Sequence, residues 1–281
     1  MQHQWTGGQL KRLSKCLRDG LEPRGDVPDY GEVMVFYNDV AVHVEQQIDE
    51  IDWPELLGGV RPKVTSRAKS IDTLREKLQR EPTTPLPSVQ DVAGVRFEAD
   101  MTLAEQDKVV QQLVGAFGAG CTVRDLRKEP HSGYRAVHIW LRLPVRAELQ
   151  VRTQLQGAWA NMYESAADVF GREIRYGHMP EDDASANLVE QMHALSLDRI
   201  VTLEKSRNEV QQLEISHGRS SQFLQTLMPG PKGERIADEV AQLRGTLHRV
   251  RELLRKQEEA TTEEMVVLKR RFDTMREERK G

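Results

Sequence analysis

The chain has 281 residues carrying 40 basic and 44 acidic side chains, a net charge of −4. That length suits one globular domain plus an extension, and that balance gives no bulk field of the kind that marks a nucleic-acid binder. Cys16 and Cys121 are the only cysteines and lack metal-ligand spacing; with no apolar run near the ~18 residues that span a membrane and no signal-peptide core, a cytoplasmic protein without a membrane partner is expected.

Residues 1–29 are polar and broken by Gly7, Gly8, Gly20, Pro23, Gly25 and Pro28, with a short basic helix between Gln9 and Leu17. From Tyr30 to Ile51, Val33, Phe36, Tyr37, Val40, Val44 and Ile48 recur at helical spacing, which predicts a helix that covers a sheet. Val60, Pro62 and Val64 read as a first strand. The stretch SRAKSIDTLREKL, 66–78, then begins a basic helical face on which Arg67, Lys69, Arg75, Lys77 and the nearby Arg80 accompany Ser70. Lysine meets phosphate as a point charge and arginine as a planar fork, so the set suits a polyphosphate with a base to stack on. A solvated face paired with Glu76 and Glu81 is the plainer alternative.

Pro82, Pro85 and Pro87 make 81–88 a loop. DVAGVRF, 91–97, reads as a buried strand, with Val92, Val95 and Phe97 apolar and Gly94 allowing close backbone approach. Asp91 at its end is either a turn residue or a hard-oxygen ligand for magnesium. An amphipathic helix is predicted over 102–117, ended by Gly118 and Gly120, then a strand over 121–127.

HSGYRAVHIWLRL, 131–143, combines a turn with an alternating strand from Tyr134, which sets Tyr134, Ala136, His138 and Trp140 on one face and Arg135, Val137, Ile139 and Leu141 on the other. Tyr134 could stack on a nucleobase and His138 meet phosphate or ribose; ordinary packing and a core histidine are the alternatives. ELQVRT, 148–153, alternates again, with Glu148, Gln150 and Arg152 on one face, either the floor of a cleft or the wet face of an edge strand. A carboxylate there would complete a magnesium site with Asp91 or act as a general base towards a ribose hydroxyl.

A helix follows over 153–169, and the pattern is helical from Asp182 onward. Beyond the breakers Pro229, Gly230, Pro231 and Gly233, Ile236, Val240, Leu243, Leu247, Val250 and Leu254 alternate by four and three, a heptad seam that Thr261 and Thr262 interrupt. A coiled-coil or homo-oligomer contact and a helix folded back on the domain both fit this pattern.

In this order, the blocks at 66–78, 91–97, 131–139 and 148–153 resemble the synthetase domain of the RelA/SpoT family, over about Arg61 to Gly177. The resemblance implies an α/β (α+β) fold, a small mixed sheet flanked by helices in a nucleotidyltransferase-like domain at 30–178, between a polar segment 1–29 and a helical extension 179–281. It implies Mg²⁺-dependent transfer of pyrophosphate from ATP to the 3′-hydroxyl of GDP or GTP, with release of AMP. Arg67, Lys69, Ser70 and Lys77 would meet the ATP phosphates, and Arg67 with Arg96 the adenine. Asp91 would hold magnesium, and Glu148 would support the metal and activate the acceptor hydroxyl. Tyr134 would stack on the acceptor guanine, with Lys128, His131, Arg135, His138, Gln150 and Arg152 lining the acceptor side.

The chain departs from the pattern where it has Pro130 and His131 in place of a lysine, Leu126 in place of a tyrosine, and WANMYESAADVFGREIRYG after the second acidic motif. The last stretch is similar to branches that include toxic small alarmone synthetases, so the 3′ end of tRNA or an adenine nucleotide is an alternative acceptor, with an antitoxin as partner. A degenerate nucleotide sensor is a further alternative. No counterpart of the family's His-Asp hydrolase module is expected.

Overall fold

The computed structural model describes residues 4–227 and 231–278, apart from the side chains of 67, 68 and 221–234. The period-two segments form a mixed five-stranded sheet ordered β1-β2-β5-β4-β3, from β1 (Lys63–Ala68), β2 (Ala93–Ala99), β3 (Thr122–Asp125), β4 (Val137–Arg142) and β5 (Arg146–Thr153). In β2 the pleat buries Ala93, Val95, Phe97 and Ala99 and sends Gly94, Arg96 and Glu98 to the opposite face. In β4 it buries Val137, Ile139 and Leu141 and leaves His138 and Trp140 half-buried. Antiparallel pairing sets Gln150 and Glu148 of β5 against His138 and Trp140, and Arg124 of β3 against His138. The polar positions of β3, β4 and β5 therefore share one face.

The chain divides into two compact units, and the first holds the residues up to Asp100, 105–128 and 136–152. In it α2 (Tyr30–Asp49) starts at Asp29, whose carboxylate accepts from the Glu32 N–H at 3.1 Å, and buries Val33, Tyr37, Val40, Val44 and Ile48 as it packs on β1 and β2. Trp53, on the short α3 (Trp53–Leu56), meets Phe97 edge-on at 4.7 Å between ring centres. The basic N-terminal helix α1 (Gly7–Asp19) opens with a Thr6–Gln9 capping box. Its last-turn carbonyls at Leu17 and Arg18 accept from Arg75 and Gln79 of α4 (Ile71–Arg80). That contact closes open helix ends and fixes α4.

The second unit gathers Met101–Ala104, Glu129–Arg135 and the chain from Thr153 onward. It contains α6 (Gln154–Phe170), α7 (Asp183–Ala194), α8 (Val201–Leu227) and α9 (Pro231–Glu278), while α5 (Leu103–Phe117) belongs mostly to the first. Trp159, Met162, Ala166, Val189, Met192, Met265 and Phe272 make its core. Arg207–Glu258 at 3.2 Å and Glu214–Arg251 run in opposite senses along α8 and α9, so the two helices are antiparallel.

One expectation changes here. Ser66 to Ala68 pair with β2, so SRAKS begins on a strand and its helix starts only at Ile71. Where Thr261 interrupts the heptad seam, α9 itself runs on, and the Thr261 hydroxyl donates to the Gln257 carbonyl at 2.7 Å and so is satisfied inside the helix. Leu247 is buried while Leu243 and Val250 stay exposed, and the deepest apolar residues among those described in α9 are Met265 and Phe272. The helix thus folds back within its own unit.

Candidate active site

Asp91 stands just before β2, and the preceding Gln90 donates to the Ala147 carbonyl of β5 at 2.6 Å, which ties this turn to the strand that carries Glu148. Lys69 Nζ donates to Asp91 Oδ2 at 2.6 Å and Lys77 Nζ to Oδ1 at 2.8 Å. Burial pushes the Asp91 carboxyl up, but the two ammonium groups outweigh it and hold the group down at about 2. Burial works against the Lys77 charge in turn, and Asp91 more than offsets it, so Lys77 sits above its ordinary value. Two cations on one carboxylate leave a net positive charge, which suits a further anion.

Glu148 is 7% exposed. Its Oε1 accepts from Gln150 Nε2 at 2.8 Å, its Oε2 accepts from Trp140 Nε1 at 3.1 Å, and His138 Nδ1 lies 3.3 Å from the same oxygen. Burial raises this carboxyl and the Asp91 charge adds to that, yet the bond and charge of His138 with the Gln150 bond bring it below the ordinary value. A buried carboxylate is thereby kept ionised by donors already aimed at it. Gln150 is oriented from its other end, where Arg152 donates to Oε1, and Arg152, buried, also stands 3.6 Å from Glu98. Arg124 lies over the Trp140 ring at 4.9 Å.

Of the five cations in the basic run, Lys69 and Lys77 meet at Asp91, whereas Arg75 donates to the Leu17 carbonyl and Arg80 stands 3.6 Å from Glu81. Position 67 lies across from Gly94 in β1, and its side chain is outside the described residues. Ser70 begins α4 with its Oγ 2.9 Å from Thr73 Oγ1. Arg96 occupies the polar face of β2 opposite Thr65. Lys128 is 80% exposed, 3.7 Å from Asp125.

Tyr134 belongs to the second unit, and β4 starts only at Val137, so strand alternation does not govern Tyr134 as expected. The Tyr134 N–H instead donates to the His131 carbonyl at 2.9 Å across a two-residue turn, and its half-buried ring packs on the helical core. Arg135, expected to line the acceptor side, is 5% exposed with its guanidinium 2.7 Å from Glu204. An arginine buried on its own would carry an uncompensated charge, so the pairing accounts for its position. The sequence reading missed Gln90, Glu98, Arg124 and the Trp140–Glu148 bond, since strand register alone brings these groups together.

The residues can hold a divalent metal in one way. Among the described residues no group of three or more His, Cys, Asp or Glu side chains forms a metal cluster. Asp91 and Glu148 are two hard oxygen donors, and magnesium takes one or two protein carboxylates and fills its shell with phosphate and water. No helix among the described residues is long and apolar enough to cross a membrane.

Residues 66–168 match the region found in RelA/SpoT proteins. Uncharacterized proteins of Mycobacterium tuberculosis and Mycobacterium bovis are each 47% identical to this chain over 195 residues, which cover 68% of it and 69% of theirs. The chain belongs to the RelA/SpoT family. A GTP pyrophosphokinase family protein from Streptococcus pneumoniae aligns with a TM-score of 0.52 and 20% identity, over 65% of this chain and 95% of that one. The small alarmone synthetase 1 from Bacillus subtilis bound to its product pppGpp aligns at 0.51 and 21%, over 65% and 96%. At that identity the likeness establishes the RelA/SpoT synthetase fold. Every candidate residue named above falls inside the matched 66–168.

Proposed function

We propose that this RelA/SpoT protein is a pyrophosphotransferase that moves the β,γ-pyrophosphate of ATP to the 3′-hydroxyl of GDP or GTP. The observation that carries this reading is the Asp91 carboxylate between Lys69 and Lys77, beside a buried, ionised Glu148 on the polar face of the sheet. Triphosphate oxygens would take over Lys69 and Lys77 from Asp91, with Ser70, Arg67 and Arg96 completing the ATP side. Magnesium, when bound, would be held by Asp91 and Glu148 together with phosphate and would draw negative charge from the group in transfer.

Glu148 accepts a hydrogen bond from the acceptor hydroxyl and takes its proton as the hydroxyl oxygen bonds to Pβ. The bond from Pβ to the bridging oxygen of the α-phosphate breaks, and AMP leaves with that oxygen. Phosphoryl-type transfer has a loose transition state, so positioning and charge neutralisation matter more than a strong base. His138 and Trp140 keep Glu148 in place, and Tyr134 offers a ring to the acceptor base. Pro130 and His131, where the family has a lysine, support a second reading in which the acceptor carries no 5′-polyphosphate at that point: an adenine nucleotide or the 3′ end of tRNA.

The test is purified protein with ATP labelled in the γ-phosphate and Mg²⁺, offered GDP, GTP, AMP, ADP or deacylated tRNA separately. Label on GDP or GTP supports the leading reading, and label on tRNA or adenine nucleotides alone replaces it with the second. No transfer to any acceptor would leave a nucleotide-binding sensor.

A further inference from the structure

The turn that carries Tyr134 is held in an uphill backbone conformation, and two of the groups that hold it, Ser196 and Glu204, lie beyond the residues matched to the family. Ser132 has φ 49° and Gly133 φ 78°, and the Tyr134 N–H closes the turn on the His131 carbonyl at 2.9 Å. Two left-handed residues in succession make this a type I′ turn. A left-handed serine is uphill in energy and persists where neighbours over-determine it.

Three contacts do so. Ser196, 2% exposed, donates its hydroxyl to the Gly133 carbonyl at 2.5 Å. Trp159 lies so close under Gly133 that a Cβ there would stand 2.7 Å from its ring, and the indole is pinned by its own bond to the Met192 carbonyl at 2.7 Å. Arg135, the residue after Tyr134, is anchored by Glu204, whose other oxygen accepts from Thr153 Oγ1 at 2.5 Å and Gln156 Nε2 at 2.9 Å. Arg135 and Glu204 meet at 2.7 Å without the alignment of a hydrogen bond, so charge rather than direction holds them. A buried ion pair adds little net stability over an apolar pair of similar volume. What this one contributes is a fixed place for the backbone beside Tyr134.

Ser196 and Glu204 are eight residues apart on either side of the change in winding. Leu195–Ile200 is a π-helical turn between α7 and α8. In a regular α-helix eight residues overshoot two turns by about 80°. A wider π turn takes up part of that excess, which lets both side chains address the same loop.

We infer that Ser196 and Glu204 are positioning residues for the acceptor: they hold the 131–135 turn so that the Tyr134 ring is preset before the nucleotide arrives. The helices after residue 168 are then a working part of what holds Tyr134. This rests on the reading that Tyr134 meets the acceptor base. It predicts an effect on acceptor binding that loss of stability in the same unit does not produce.

The test compares Ser196→Ala with Val189→Ala, which trims the buried core of the same unit. Amide hydrogen exchange over 131–135 and steady-state kinetics with GTP and ATP are measured for each. Ser196→Ala is expected to speed exchange in the turn and raise KM for GTP roughly 5- to 20-fold while KM for ATP stays within about 2-fold, and Ser196→Thr, which keeps the donor, restores most of it. Val189→Ala is expected to leave both KM values unchanged. If Ser196→Ala does not fold, Glu204→Gln gives the same two readouts. Unchanged exchange at 131–135, or an equal rise in acceptor KM for Val189→Ala, would overturn the inference. Should the unaltered protein transfer to no guanine nucleotide, the functional reading fails, and the exchange data still decide whether Ser196 holds the turn.

Discussion

The Lys77 ammonium lies 2.8 Å from the Asp91 carboxylate. Lys69 occupies the other oxygen at 2.6 Å, so the groups that would meet the donor phosphates are held in place before nucleotide arrives. A lysine that gives up a carboxylate for a phosphate exchanges one ionic partner for another instead of stripping its hydration.

Asp91→Asn would leave Lys69 and Lys77 facing each other without their counter-ion. Transfer is expected to fall by about 10²- to 10³-fold, with retained secondary structure by circular dichroism. The pH dependence follows from the same contact. The folded carboxyl sits at about 2 against an ordinary 3.8, so its contribution is complete above 3.8 and is lost as pH falls towards 2. A displacement of that size is worth about 2 kcal/mol at most, given that Asp91 is partly exposed. Urea unfolding at pH 5, 3.5 and 2.5 should lose stability steeply in that window, and the loss should be smaller in Asp91→Asn. Equal slopes would show that the contact contributes nothing in solution.

Glu148→Gln keeps the shape of the side chain and removes its charge and its role as proton acceptor. We expect transfer to drop below about one thousandth with the fold intact. Trp140→Phe removes the 3.1 Å bond that steadies Glu148 Oε2 and keeps an aromatic ring under Arg124, and it should cost about 3- to 10-fold in kcat. Full activity in Glu148→Gln would remove it from the chemistry.

Tyr134→Ala should act on the acceptor alone. Stacking of a base on an aromatic ring is worth about 1 to 3 kcal/mol, which corresponds to roughly 5- to 150-fold in acceptor KM with ATP KM unchanged. Kinetics with each nucleotide varied in turn would check it, and an equal change in both would place Tyr134 elsewhere.

Phe272 is 2% exposed and meets Phe170 edge-on at 5.6 Å. Phe272→Ala should destabilise the second unit by about 3 to 5 kcal/mol in thermal or urea unfolding. Leu253→Ala, at a position 62% exposed, should change stability by less than about 0.5 kcal/mol. A lowered association state in Leu253→Ala, read by light scattering, would instead support a homo-oligomer through the exposed face of α9.

The sequence by itself determined the alternating cores of β2 and β4, the order of the chemical groups and the family. Alternation at 93–99 and 137–142 is a local consequence of the pleat, and the blocks around Lys69, Asp91, Tyr134 and Glu148 are contiguous enough to be recognised one after another. Tertiary structure decided which groups meet. Lys69 and Lys77 converge on Asp91 because β1 turns into α4, whereas Arg75, two residues before Lys77, faces α1. Glu148 is reached by Trp140 because β4 and β5 pair in that register and no other. Ser196 meets Gly133 across 63 residues and Arg135 meets Glu204 from an equally distant segment, contacts made by packing between elements and not by any periodicity within one. Along the seam at 236–254 only Leu247 is buried while Leu243 and Val250 stay exposed, and it is farther along the same helix that Met265 and Phe272 enter the core of the second unit, a difference set by packing and not by the heptad spacing.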